Sequence, residues 1–510
     1  MRPQKRSAVT ASVPAPVGGW NARDAISNMD PMDAVRLENW FARPTDAMLR
    51  KGNTAHVTGL PGQVESLMPY NTATSQTLFA ASGTGFYNVT TPGVVGGAVQ
   101  TGLTNARWQS VNITTAGGSF LYCVNGVDKP RLWNGATWVA VDGVSTPAIT
   151  GVTTTNLIHV NLFKNRLWFT QAASLKVWYL PVDSVGGAAN VIDLSSVARS
   201  GGYLVGMWTW TIDAGYGVDD LAVFITSEGE VIVYRGTDPS SALTWALVGI
   251  WSIGSPLGRR CAIKYAGDLL IACQDGIVPM SAALQSSRVN PKVALSDKIQ
   301  QAFSEAASLY GSSFGWDMRF FPKENMLVLN IPVAVGSQQQ YVMNSISKAW
   351  SQFTGWPANC WELFDDNLYY GGNTVVCQAY NGYNDRGAQI NGSAQQAYNY
   401  FGKRGQNKRF TLARPIIQAS SSPSVQVGLA IDFNDQAPTS TLTVPPATTS
   451  AWDTAIWDSG VWGSGLTTYR QWQGIAGVGY AASPYLLAAG NGNEVRWQST
   501  DVVMELGGIV

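Results

Sequence analysis

The chain reads as a mainly β protein: a β-propeller of about seven blades with an N-terminal docking segment and a C-terminal β-domain. Three observations predict this. LAVFITSEGEVIVY, from Leu221, places two apolar β-rich runs on either side of Ser227-Glu228-Gly229, a hairpin signature. The pattern returns as DLLIACQDGIVPM, hinged at Gln274-Asp275-Gly276. Five looser copies begin at Leu78, Phe120, Leu167, Met326 and Asn367. Their spacing averages roughly 48 residues, the scale of a four-stranded propeller blade. A set of unrelated β-sandwiches is the alternative.

Residues 1–17 carry basic residues, then Ala, Ser and Pro, with nothing to bury, and read as a mobile arm. They contain no apolar run of the kind a signal peptide needs. Residues 18–59 form the docking segment. In it Asp30 can cap, Pro31 suits a first helical position and Asp33 favours the positive end of the dipole. Val35, Leu37 and Trp40 would then line a short helix stopped by Pro44. That helix is expected to lie on its own propeller as a strap or on a neighbouring subunit, with Trp20, Asp30, Leu37 and Trp40 as candidate interface residues.

Residues 60–386 hold the hairpins. Within them Ile299, Phe303, Ala306 and Tyr310 recur at helical spacing behind Ser296, which predicts one amphipathic helix near 295–310 with Ser296 as its cap. Residues 387–510 read as the Trp-rich C-terminal β-domain, with a hairpin turn at Asn491-Gly492. Its basic cluster, Lys403, Arg404, Lys408, Arg409 and Arg414, is either a contact for DNA or an acidic partner, or a solvated hairpin tip. Trp452, Trp457 and Trp462 stand at five-residue intervals, which fits neither helix nor strand. Turns presenting one ring each would anchor a subunit interface or a small core, or form a sugar-stacking platform.

Formal net charge is zero and charged residues are 13% of 510, against about 25% in ordinary soluble domains. Little repulsion then opposes association, and a surface largely covered by neighbours is expected. The neutral balance disfavours tight, counterion-driven nucleic-acid binding while leaving room for a smooth DNA channel. Cys123, Cys261, Cys273, Cys360 and Cys377 form no CxxC pair and read as buried apolar residues. The two histidines, His56 and His159, have neither metal-ligand nor triad spacing. No P-loop, dinucleotide fingerprint, HExxH or nucleophile elbow is present. Asp219-Asp220 and Asp365-Asp366 are the paired carboxylates, each beside a turn where Asp is ordinary. No enzymatic activity, cofactor or metal is expected, and no run is long enough for a membrane helix.

Two segments carry a resemblance to a known family. The first is GGWNARDAISNMDPMDAVRLENWFARPTDAMLRKG, with Gly18-Gly19, Asn21, Asp24, Met29, Pro31, Asp33-Ala34, Leu37, Asn39 and Arg43-Pro44. The second runs through Val233-Tyr234-Arg235-Gly236-Thr237-Asp238-Pro239, Trp251-Ser252-Ile253-Gly254 and Pro256-Leu257-Gly258-Arg259, and closes on Gly267-Asp268-Leu269 and Gly276-Ile277. Together they resemble the β-propeller tail-nozzle proteins of short-tailed bacteriophages, the tail tubular protein B or packaged-DNA stabilisation family. The resemblance implies a structural virion component of the tail, assembled in the host cytoplasm. It implies a homo-hexameric ring below the portal and its adaptor, in contact with neighbouring tail proteins or fibres. Duplex DNA would be retained behind the ring and pass through its lumen on ejection. The competing reading is a glycan-binding or glycan-cleaving propeller that recognises a host receptor.

Overall fold

The computed structural model describes residues 8–213, 218–283, 291–435, 437–438, 465–490 and 492–509. Between residues 53 and 379 seven small antiparallel sheets follow one another. The first blade joins the second half of Asn53–Asn71 to Gln76–Ser82 and Gly85–Asn88. The second runs Gln109–Thr115, Gly118–Val124, Arg131–Trp133, Trp138–Ala140, and the third Leu157–Phe163, Arg166–Gln171, Lys176–Tyr179, Asn190–Asp193. Leu204–Asp213, Val218–Thr226, Glu230–Gly236 and Trp245–Ser252 make the fourth; Ala262–Tyr265, Asp268–Cys273 and Gly276–Pro279 make the fifth. The sixth is Asp317–Phe321, Met326–Ala334, Ser337–Asn344 and Trp350–Phe353. Cys360–Phe364, Asn367–Gly371 and Asn373–Ala379 begin the seventh.

One strand closes the ring. The first half of Asn53–Asn71 pairs with Asn373–Ala379 as the outer strand of blade seven, and the rest continues as the inner strand of blade one. The register with blade seven is interrupted between Thr58 and Gln63, where Gly59 adopts φ +83°, and the change of partner falls between Gln63 and Val64. The inner strand of each blade touches that of the next, and the seventh touches the first. This circuit is a closed β-propeller.

Each neighbouring pair of blades shares an apolar layer, because the middle strands are apolar on both faces. Along Gly118–Val124, Leu121 and Cys123 face blade one, while Tyr122 and Val124 face blade three. Each hairpin predicted from sequence is the second and third strand of one blade. The five cysteines are all buried, as expected for apolar use.

The N- and C-terminal segments build a β-sandwich together. One layer holds Asp33–Glu38, Asn391–Gln396, Ala482–Ala489 and Ser424–Ile431. The other holds Gln406–Ala419, Val495–Ile509, Ala8–Pro14, Trp40–Ala42, Ala47–Leu49, Thr467–Arg470 and Gln473–Gly479. Leu37, Trp40, Ile417, Val427, Leu486 and Trp497 pack between them. Asp33–Glu38 also pairs with Trp350–Phe353 at Glu38 and Gln352, so the first layer continues blade six.

Four expectations change. Residues 8–14, expected within a mobile arm, are a strand whose partner is 499–505, nearly five hundred residues away in the chain and invisible to local reading. The helix expected after Asp30 is absent. Asp30 Oδ1 accepts the Met32 N–H and Asp30 O accepts the Asp33 N–H, so Asp30 organises a turn. Asp33 is buried on Lys298 Nζ at 2.6 Å and Asn21 Nδ2 at 2.8 Å, and Asp33–Glu38 runs as a strand. The helix near 295–310 forms as Gln300–Tyr310, but Ser296 does not cap it; its Oγ accepts the Ile277 N–H instead. No hairpin joins the strands on either side of Asn491-Gly492, since Ala482–Ala489 and Val495–Ile509 have different partners in different layers; Asn491 itself lies outside the described residues.

Candidate functional site

Of the expected interface residues, Leu37 and Trp40 are buried in the sandwich core and are closed to a partner. Trp20 is half-buried, edge-on to Tyr341 at 5.2 Å. Asp30 is exposed, as are Ile26 and Met32 beside it, two apolar residues the sequence reading passed over. The docking segment therefore docks on its own chain. Trp452, Trp457 and Trp462 lie outside the described residues.

The basic cluster divides. Lys408 is fully buried, its Nζ donating to the carbonyls of Lys403, Gln406 and Tyr480 at 2.7–2.9 Å, so it contacts neither DNA nor a partner. Burial lowers its pKa. Arg414 pairs with Asp501 at 2.6 Å and lies over Trp472. Lys403, Arg404 and Arg409 remain on the surface, with Arg404 over the Tyr400 ring.

Three of the four paired carboxylates hold structural places, and the side chain of Asp219 lies outside the described residues. Asp365 and Asp366 have φ of +48° and +54° and form the two-residue turn between Cys360–Phe364 and Asn367–Gly371. Asp220 accepts from Thr211 Oγ1 and pairs with Lys164.

The concentration of charge lies at the propeller axis, on the face where the inner strands begin. Arg260, just before blade five, extends across to blades one and two. Its Nη2 donates to Glu65 O at 2.9 Å, Ser66 Oγ at 2.8 Å and Trp108 O at 3.2 Å. It also stands 3.7 Å from Asp317 of blade six. Asp317 is fully buried, accepts the Trp361 N–H and pairs with Arg319, which pairs in turn with Glu362 of blade seven. Desolvation raises the Glu362 pKa against the opposing pull of Arg319. Arg107 binds Glu65 through Nε at 3.0 Å, and its guanidinium lies 4.3 Å from the Phe314 ring centre. These charges tie blades one, two, five, six and seven across the axis.

Deeper on blade three, His159 packs on Trp208 at 4.9 Å, and its Nδ1 accepts the Met207 N–H. Burial and the nearby Arg259 charge lower its pKa to about 3, so the ring is neutral. Sequence reading missed the axial arginines. Their one signal was the Arg259-Arg260 pair directly before an inner strand.

No family model matches the chain, and no curated protein matches it. Among solved structures, it is similar to BBS1N in complex with ARL6DN at 9% identity and TM-score 0.39, covering 64% of this chain and 96% of that one. It is also similar to the Myceliophteria thermophila Cps50 (Swd1) β-propeller domain at 13% identity and TM-score 0.39, covering 64% and 98%. At these scores the likeness carries no argument about function. The closed ring of seven blades stands on its own topology. Among the described residues no helix is long and apolar enough to cross a membrane.

Proposed function

We propose that this chain is a structural subunit of a short-tailed phage tail nozzle, a hexameric ring that extends the portal and adaptor channel, retains packaged DNA and passes it on ejection. The observation that carries the reading is the position of the segment bearing the family resemblance. Asp33–Glu38 is hydrogen-bonded on one side to blade six and on the other to the sandwich strand Asn391–Gln396. A continuous sheet through both parts resists hinge motion, as a subunit loaded by compressed DNA requires. The ring of inner strands, crossed by Arg260, leaves no duplex-sized hole within one propeller. DNA would therefore pass between subunits, around a symmetry axis outside the propeller.

Electron microscopy of the purified chain, alone and with its candidate tail adaptor, tests the reading. Sixfold rings with an open axial channel support it, and rings only with adaptor mean that assembly is templated. Isolated propellers under both conditions overturn it and bring the glycan reading forward, to be tested on a glycan array.

A further inference from the structure

Three arginines meet at the mouth of the propeller axis, and their counter-charges are unequal. A cavity of about 390 Å³ lies there, between Arg107 at the start of blade two, Arg259-Arg260 at the start of blade five, and the 311–316 loop leading into blade six. That volume suits a small ligand. Arg260 is committed to two carbonyls, the Ser66 hydroxyl and Asp317. Arg107 uses only Nε on Glu65, and its side chain is 53% exposed, which leaves its terminal nitrogens available.

Arg259 differs from both. Among the described residues no carboxylate lies within ion-pair distance of it. The groups that interact with it electrostatically are Tyr203 and the neutral His159. The other carboxylates at the mouth are already engaged: Glu65 on Arg107, Asp317 on Arg260 and Arg319, and Asp128 on Thr104 and Asn125. Arg259 is exposed where it lines the cavity, so its N–H donors stand unpaired there and can take an anion from solution. The Asn105 and Gln109 side chains supply neutral amide donors on the same wall.

We infer that the axial cavity is a binding site for a small oxyanion, a phosphate- or carboxylate-bearing molecule held in the fork of Arg259 and by the free nitrogens of Arg107. The planar guanidinium matches both groups through paired N–H donors. The inference stands apart from the nozzle reading, because every residue it uses lies within one propeller.

Titration calorimetry of the full chain with inorganic phosphate and, separately, citrate tests it. One saturable site is expected, weakened about tenfold or more by Arg259→Gln and by Arg107→Gln. Arg409→Gln, on the sandwich surface, is expected to leave binding unchanged. Arg259 holds no structural partner, so Arg259→Gln is expected to keep the wild-type melting temperature in the absence of anion. Tighter phosphate binding assigns a phosphoryl ligand, and tighter citrate binding assigns a polycarboxylate. Absence of saturable binding to either anion up to about 10 mM overturns the inference, as does equal affinity in folded Arg259→Gln.

Discussion

The Arg50 guanidinium meets the Asp385 carboxylate through two hydrogen bonds, Nη2 to Oδ2 at 2.6 Å and Nη1 to Oδ1 at 3.0 Å. Arg50 precedes the propeller and Asp385 follows it, so the pair links the two ends of the ring to each other. Its other nitrogens are also engaged: Nε donates to Asn39 Oδ1, and Nη groups donate to the carbonyls of Lys51 and Thr354. Trp356 stacks against the guanidinium at 4.7 Å. Arg50 is 1% exposed, so this is a buried pair, and removing one partner strands the other. Arg50→Met or Asp385→Asn should each cost about 3–5 kcal/mol in urea unfolding, with the double variant losing less than the sum.

Arg260 should matter more for cohesion of the ring than any surface arginine. Arg260→Met removes donors from Glu65 O, Ser66 Oγ and Trp108 O and takes one cation from buried Asp317. A loss of about 3 kcal/mol is expected, measured by denaturant midpoint at constant m-value. A change below about 0.5 kcal/mol would mean that the axis is held by packing alone.

His159 should make the protein acid-sensitive. Its folded pKa is about 3 against 6.5 unperturbed, so below pH 6.5 the unfolded chain takes a proton that the native chain refuses. The stability it contributes is complete above that pH and is lost as pH falls toward about 3, at about 1.4 kcal/mol per pH unit. Urea midpoints of wild type and His159→Gln at several pH values check this. The wild type should lose stability faster than the variant on acidification, and parallel curves would refute the assignment.

Lys408 and Arg409, adjacent in sequence, should behave oppositely. Lys408→Met leaves three carbonyls without their donor, an expected loss of about 1–3 kcal/mol. Arg409 has a 64% exposed side chain and reaches Glu505 only at 3.8 Å, so Arg409→Ala should fall within about 0.5 kcal/mol of wild type. Thermal or urea unfolding of both variants decides it.

The blades were legible because their middle strands are apolar on both faces and joined by short turns. Phe224 and Val223 point to opposite blades, yet both are buried, and the whole run reads as strand. Inner and outer strands announced themselves less. Gln109–Thr115 and Trp245–Ser252 are both mostly half-buried, the second with three exposed residues. The axial site was least legible, because Glu65, Arg107, Arg260 and Asp317 come from four separate blades and share no spacing.

By itself the sequence determined the β class, the seven hairpins and the helix Gln300–Tyr310 of the insertion, since each depends on neighbours a few residues apart. Tertiary structure decided what Asp33–Glu38 became. Its Asp-Pro start satisfies local helix rules, but hydrogen bonding to Trp350–Phe353 and Asn391–Gln396 satisfies its backbone in a buried sheet. It also decided which charges lie on the surface and which are struts, as Lys408 and Arg409 differ only in the side of the strand they face. The first outcome rests on pairing between residues hundreds of positions apart and the second on strands tens of positions further along, and a local pattern holds no information about either partner.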